Sequence, residues 1–327
     1  MTGPAHGGRL RVRVLAGLLA GGAITLASAQ EIATYEGPCD ASAAVALDAD
    51  RFVVGNDENN ILHIYQRGQP APTDTVDLTR FLDVRGNQEA DIEAGAVIGT
   101  RAYWITSHGR NRAGKARPGR QRIFATDLRP GSAVPIEPVG KPYTQLLRDL
   151  EETPSLKPYR LGDAARLAAE APGGLNIEGL AATPDGKLLI GLRNPVPGQR
   201  ALIVPLDNPA EVIEGKRAKL GAPVELDLGD RGIRSIELVG AEYVIVAGPA
   251  ADVGTFVLYR WSGRPGDAAT PVPAAKLGTL RPEALFAVPQ SARVQLLSDD
   301  GGVRAAGVEC KALPKQRQSF RSLTIDR

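Results

Sequence analysis

Several short apolar strands in this chain begin with an acidic residue. The clearest case is "NIEGLAATPDGKLLIGLRNP", Asn176 to Pro195, where Glu178 precedes an apolar strand, a Pro-Asp-Gly turn and a second apolar strand. The same arrangement places Glu93, Glu237 and Glu283 at strand heads, with Ser42 in the remaining copy. Asp40, Asp91 and Asn176 lie beside these heads, and Arg110, Arg193 and Arg234 are nearby counter-ions. Two carboxylates about 5 Å apart repel by about 3 kcal/mol at an effective dielectric near 20, or roughly two pKa units. An arginine, a calcium ion or a shared proton relieves that repulsion, and each implies a different function. Arginine pairing makes a neutral structural wall. Calcium takes several carboxylate and carbonyl oxygens, which this set supplies, although no EF-hand loop is present. A shared proton leaves one glutamate able to act as a general acid. The catalytic candidates are therefore Glu93, Glu178 and His108, the last being the histidine that falls inside a recurring motif. The ligand-binding candidates are Asp40, Asp91, Arg110, Asn176, Arg193, Arg234 and Glu237.

These residues need a frame that gathers them. The head positions Ser42, Glu93, Glu178, Glu237 and Glu283 are separated by 51, 85, 59 and 46 residues. Multi-stranded repeats of roughly 40–50 residues are the signature of a propeller. The expected fold is all-β, a five-bladed β-propeller, with six blades as the alternative. The long interval is read as a helical insert around 143–172, with helices over Tyr143–Glu152 and Gly162–Gly174, Asp163 capping the second. Outer strands are expected at "ILHIYQR", "TDTVDLTRFL", "RIFATDL", "ALIVPLD", "PVELDLG" and "TFVLYRWSG". The last blade closes by pairing "QSFRSLTID" with "IATYEG", which leaves no free sheet edge. In that frame the strand heads, and the strand tails such as Asn56-Asp57-Glu58 and Ser107-His108, meet at a mouth of the central channel.

The chain opens as a secretory signal peptide over 1–29. Arg9, Arg11 and Arg13 precede an apolar run from Val14 to Leu26, and Ala27-Ser28-Ala29 is a cleavage site. The expected mature protein, 30–327, is one propeller domain, monomeric, with no membrane association after cleavage, in the periplasm or outside the cell. Removing 1–29 takes three arginines from the 39 Lys+Arg and nothing from the 37 Asp+Glu, so the net charge becomes −1. A near-neutral chain without aromatic residues among its basic ones argues against nucleic acid. Cys39 and Cys310, near the two ends, are expected to form a disulfide. With two cysteines, His63 and His108 as the histidines of the mature chain and no CxxC, the composition argues against a His/Cys zinc site.

Six basic residues fall between Gly109 and Arg122, in a stretch whose Gly and Pro content makes it a loop. It reads either as an anion-recruiting flap or as a solvated loop. No G-x-S-x-G elbow surrounds Ser107, and "GGLNIEG" lacks a Walker lysine.

The stretches "YEGPCDASAAVALDADRFVVGNDENN", "DIEAGAVIGTRAYWITSHGRNRAGKARPGRQRIFAT", "GLNIEGLAATPDGKLLIGLRNPVPGQRALIVPL" and "LDLGDRGIRSIE" resemble domain-of-unknown-function family 3616, a family of exported bacterial proteins. The resemblance spans about Tyr35 to Trp261 and implies a β-propeller without naming a reaction. The functional expectation is a small anionic molecule bound in the central channel, with its hydrolysis left open. The alternative is a non-catalytic interaction propeller that uses its loops as a contact surface.

Overall fold

The computed structural model describes residues 1–3, 31–84, 88–251, 253–273 and 276–326, so the leader expected over 1–29 lies almost wholly outside the described residues. Five four-stranded antiparallel sheets follow one another along the chain. Their innermost strands are Ala43–Ala46, Ile92–Ile98, Asn176–Ala182, Gly232–Val239 and Pro282–Ala287, in blades one to five. Each innermost strand touches those of the two neighbouring blades, the fifth meeting the first, so the ring is closed. The fold is the five-bladed propeller that the repeats predict.

Apolar residues alternate along the strands and fill the spaces between blades. Five hydrophobic clusters among the described residues correspond to the five blade-to-blade junctions. Trp104 and Phe124 lie between blades one and two, and Ile233 and Trp261 between three and four. Tyr35, Phe52, Tyr65, Phe286 and Phe320 fill the junction of five with one. Where blades three and four approach closest, a Cβ on Gly191 would meet the Ile233 methyl at 2.7 Å, so glycine is required there.

Closure uses both ends of the sequence. Ser319–Asp326 pairs with Arg293–Ser298 inside blade five, and Glu31–Glu36 adds the outermost strand. Cys39 and Cys310 are joined in a disulfide across a separation of 271 residues. Arg321 reinforces this end, with Nε and Nη2 donating to the two oxygens of buried Asp300 at 2.8 and 2.7 Å.

The long interval holds the fourth strand of blade two, Ile136–Tyr143, and then the insert, not a sixth blade. Its helices are Leu146–Glu152 and Leu161–Ala164, joined by a 3-10 stretch over Pro154–Tyr159. Leu146, Leu150, Leu156 and Leu161 are buried against Ile177 and Leu192 at the junction of blades two and three. The second helix is much shorter than expected, and Asp163 lies within it instead of capping it. The Ala-rich segment that follows has helix propensity, but its backbone is drawn elsewhere. The Ala169 amide bonds to the Arg110 carbonyl, and the Ala169 and Ala171 carbonyls accept from Asn194 Nδ2. Tertiary contacts override a weak local preference.

Candidate functional site at the head-end channel mouth

One irregularity recurs at the start of four innermost strands. The pairing register slips between Ile92 and Ala94, Ile177 and Gly179, Ile233 and Ser235, and Pro282 and Ala284. Each slip is a β-bulge that leaves one extra residue out of the ladder and re-aims its side chain. The extra residues are Glu93, Glu178, Arg234 and Glu283. Blade four therefore contributes an arginine to this ring, and Glu237, the residue expected there, lies three positions further down the strand. Blade one keeps a regular register and places buried Ser42 just before its strand.

The arginine ties the ring together. Arg234 Nε lies 2.8 Å from Glu178 Oε2, and its Nη2 contacts Glu283. The contact with Glu178 is ionic rather than a well-directed hydrogen bond. Arg193 Nη1 donates to Glu178 Oε1 at 2.8 Å, and Asn176 Nδ2 donates to the same oxygen at 2.9 Å. Glu178, Arg193 and Arg234 are all buried. Glu178 holds the Arg193 guanidinium above its ordinary pKa despite its burial, whereas burial pulls Arg234 below its own.

Glu93 stands apart. It is 8% exposed, and among the described residues no basic side chain lies within ion-pairing distance. Burial, and then Glu178, Asp91 and Asp57, push its carboxyl well above the ordinary range, with Arg193 opposing them. Asp91 is buried in the left-handed region at φ 64° and accepts from Ser107 Oγ; Arg120 Nη1 sits 3.0 Å away. Burial nevertheless pushes its carboxyl up to about 7. A non-glycine residue held in that region is a feature of functional or tightly determined sites.

A second group of charges lies where blades five and one meet. Asp40 is 1% exposed and bridges the backbone of Asp299, and Lys311 Nζ approaches Asp40 Oδ2 to 2.8 Å. Burial and the Asp299 side chain push the Asp40 carboxyl up to about 10. Burial alone would lower Lys311, but Asp57 and Asp40 hold it above the ordinary lysine range. The disulfide positions this lysine, since Lys311 follows Cys310 directly. Nothing in the local sequence around Lys311 signals that role.

Besides Glu237, two candidates are engaged outside this ring. His108 is 1% exposed at φ 55°, with Nδ1 2.8 Å from the Thr106 carbonyl. That contact makes Nδ1 the protonated nitrogen, and burial lowers the ring to about 4, so His108 is neutral. Arg110 turns to the insert, its Nε donating to the Ala165 carbonyl at 3.0 Å and its Nη1 to that of Gly114. Three more of its basic residues are similarly engaged. Arg112 pairs with Glu170, Arg120 with Glu89 and Asp91, and Arg122 donates to the carbonyls of Leu82 and Pro118. Four of the six basic residues are thus held against their surroundings, whereas Lys115 and Arg117 have no side-chain hydrogen bond or ion pair among the described residues.

The mouth thus assembles Asp91, Glu93, Asn176, Glu178, Arg193, Arg234 and Asp40 from the candidate residues, together with the strand head Glu283 and the strand-tail residues Asp57 and Asp299, and adds Arg120 and Lys311. Among the described residues, no three His, Cys, Asp or Glu side chains converge as a metal ion would require.

Fold and sheet order define the chain as a five-bladed β-propeller. Residues 138–294 match the model of a family described as a protein of unknown function, DUF3616, the family that the motifs resemble. No curated protein matches the chain. Among solved structures, the chain is similar to Myxococcus xanthus glutaminyl cyclase, at 12% identity and a TM-score of 0.47, covering 91% of this chain and 97% of that one. It is also similar to the PQQ-bound aldose sugar dehydrogenase of Streptomyces coelicolor, at 11% identity and a TM-score of 0.46, covering 90% and 98%. Neither likeness bears on what this chain binds.

Proposed function

We propose that this chain is an exported small-molecule-binding propeller whose ligand presents a positively charged group to Glu93 at the head-end mouth of the channel. The observation that carries this reading is the charge balance. Asp40, Asp57, Asp91, Glu93, Glu178, Glu283 and Asp299 meet Arg120, Arg193, Arg234 and Lys311, and each of these basic groups already contacts a carboxylate. An anion entering here would have to displace a carboxylate from an arginine. A cation would offset the burial and the neighbouring carboxylates that push the Glu93 carboxyl up. The ligand read from the geometry therefore has the opposite charge to the anion that the motifs suggested. An organic ammonium or amidinium suits the site better than calcium, because it needs one or two carboxylate partners and not six to eight oxygens. The disulfide accords with export to an oxidising compartment, and no helix of the described residues is long and apolar enough to cross a membrane.

The test is a thermal-shift screen of the mature protein at pH 7.5 with small ammonium and amidinium ions, calcium, phosphate and carboxylates. The organic cations should raise Tm for the wild type and not for Glu93→Gln. Stabilisation by phosphate or carboxylates, or a response to cations that survives Glu93→Gln, would overturn the reading. A shift with calcium that a chelator reverses would reassign the carboxylates to a metal.

A further inference from the structure

The opposite end of the channel carries a second, differently built site. Glu237 lies three residues beyond Arg234, about 10 Å along an extended strand. It borders a pocket of about 330 Å³ whose other walls include Val45, Leu47, Val97, Leu128 and Pro289, from blades one, two and five. Leu47, Gly99 and Pro289 belong to the hairpin turns, which sets this pocket at the turn end of the blades. The volume accommodates roughly ten water-sized groups. Glu237 is the titratable residue of the lining, and Tyr243, on the next strand of its own blade, is the other titratable group whose electrostatics it shares.

The carboxyl is under-used. On the same strand, Ser235 Oγ accepts from the Leu285 amide at 3.1 Å, which satisfies that edge of blade five. Glu237 Oε1 accepts from the next free amide, Ala287, at a long 3.5 Å. No basic side chain among the described residues pairs with it, and burial pushes it up to about 8. A carboxyl placed in an apolar pocket with one stretched hydrogen bond is poised to take a partner that brings both charge and N–H donors.

We infer that this turn-end pocket binds a small apolar primary amine, its hydrocarbon body against Val45, Val97 and Leu128 and its ammonium on Glu237. Binding the ammonium requires the carboxylate, so a proton leaves Glu237 as the ligand enters. Below the carboxyl's pKa, affinity should therefore rise about tenfold per pH unit.

The experiment is titration calorimetry of the mature protein with n-hexylamine, n-hexanol and hexanoate between pH 6 and 8, with backbone NMR to locate the site. The expected result is binding of the amine alone, tightening with pH, with amide shifts centred on Val97, Gly99, Thr100 and Ala287. Glu237→Gln should weaken the amine at least tenfold and flatten its pH dependence. Ala46→Phe, which fills the pocket and leaves the carboxyl, should abolish binding. Equal affinity for amine and alcohol, shifts centred on Glu93 and Glu178, binding that survives both variants, or no binding by the wild type would each overturn the inference.

Discussion

Arg234 Nε of blade four lies 2.8 Å from Glu178 Oε2 of blade three, and both are the extra residues of equivalent β-bulges. The same guanidinium reaches Glu283 of blade five, so one buried arginine ties three blades together at the channel mouth. Breaking a buried pair from one side leaves uncompensated charge and costs about 3–5 kcal/mol. Arg234→Met should lose that much in urea unfolding at pH 8. Arg234→Lys, which keeps a charge facing Glu178 and Glu283, should lose less. Equal losses in the two variants would mean that the shape of the guanidinium and not its charge matters.

Much of this arrangement was legible in the sequence. Apolar strand, turn and apolar strand recur, and that pattern located every innermost hairpin and the closure of blade five by both termini. The head of blade four misled because Ile236-Glu237 mimics Ile92-Glu93 and Ile177-Glu178. The distance to the end of the strand separates them. Glu93 and Arg234 precede the last strand residues Ile98 and Val239 by five, and Glu178 and Glu283 precede Ala182 and Ala287 by four, whereas Glu237 precedes Val239 by two. Lys311 was not legible, since only the fold and the disulfide bring it to Asp40. Nor was the engagement of the basic loop, because Arg110 and Arg112 find their partners in an insert more than fifty residues away.

The Cys39–Cys310 bond closes nearly the whole described chain into one loop. In the chain-entropy model a loop of this length stabilises by about 5 kcal/mol. Urea unfolding of Cys39→Ala/Cys310→Ala should show a loss of that order. Because Cys310 also precedes Lys311, a cation response at Glu93 should be retained in the double variant if the lysine serves only Asp40.

Asn194 fastens the insert to the propeller. Its Nδ2 donates to the Ala169 and Ala171 carbonyls at 2.8 and 2.7 Å, and its side chain is buried. Losing these bonds removes about 1–2 kcal/mol from local stability. In Asn194→Ala, hydrogen exchange should accelerate over residues 165–174 and stay unchanged in the inner strands of blades four and five. Uniform acceleration would show that the insert is part of the global folding unit.

Glu237 also predicts how stability follows pH. Burial pushes its carboxyl up to about 8 in the folded protein, against about 4.3 for an unfolded glutamate. Between those values the folded state holds a proton that the unfolded state has released. Its contribution is therefore complete below about pH 4 and is lost as pH rises towards 8. Other carboxylates oppose this trend: Asp48 is held low by Arg51 and the Asp50 amide in spite of its partial burial, and Asp77 by Thr79. The wild-type profile mixes these signs, and the difference between wild type and Glu237→Gln isolates one of them. Glutamine keeps the shape and cannot ionise. The variant should gain stability relative to the wild type steadily from pH 5 to pH 8 in urea unfolding. A difference that stays flat across that range would mean that the Glu237 carboxyl is ionised and solvated in the folded protein, and the turn-end pocket would lose its electrostatic character.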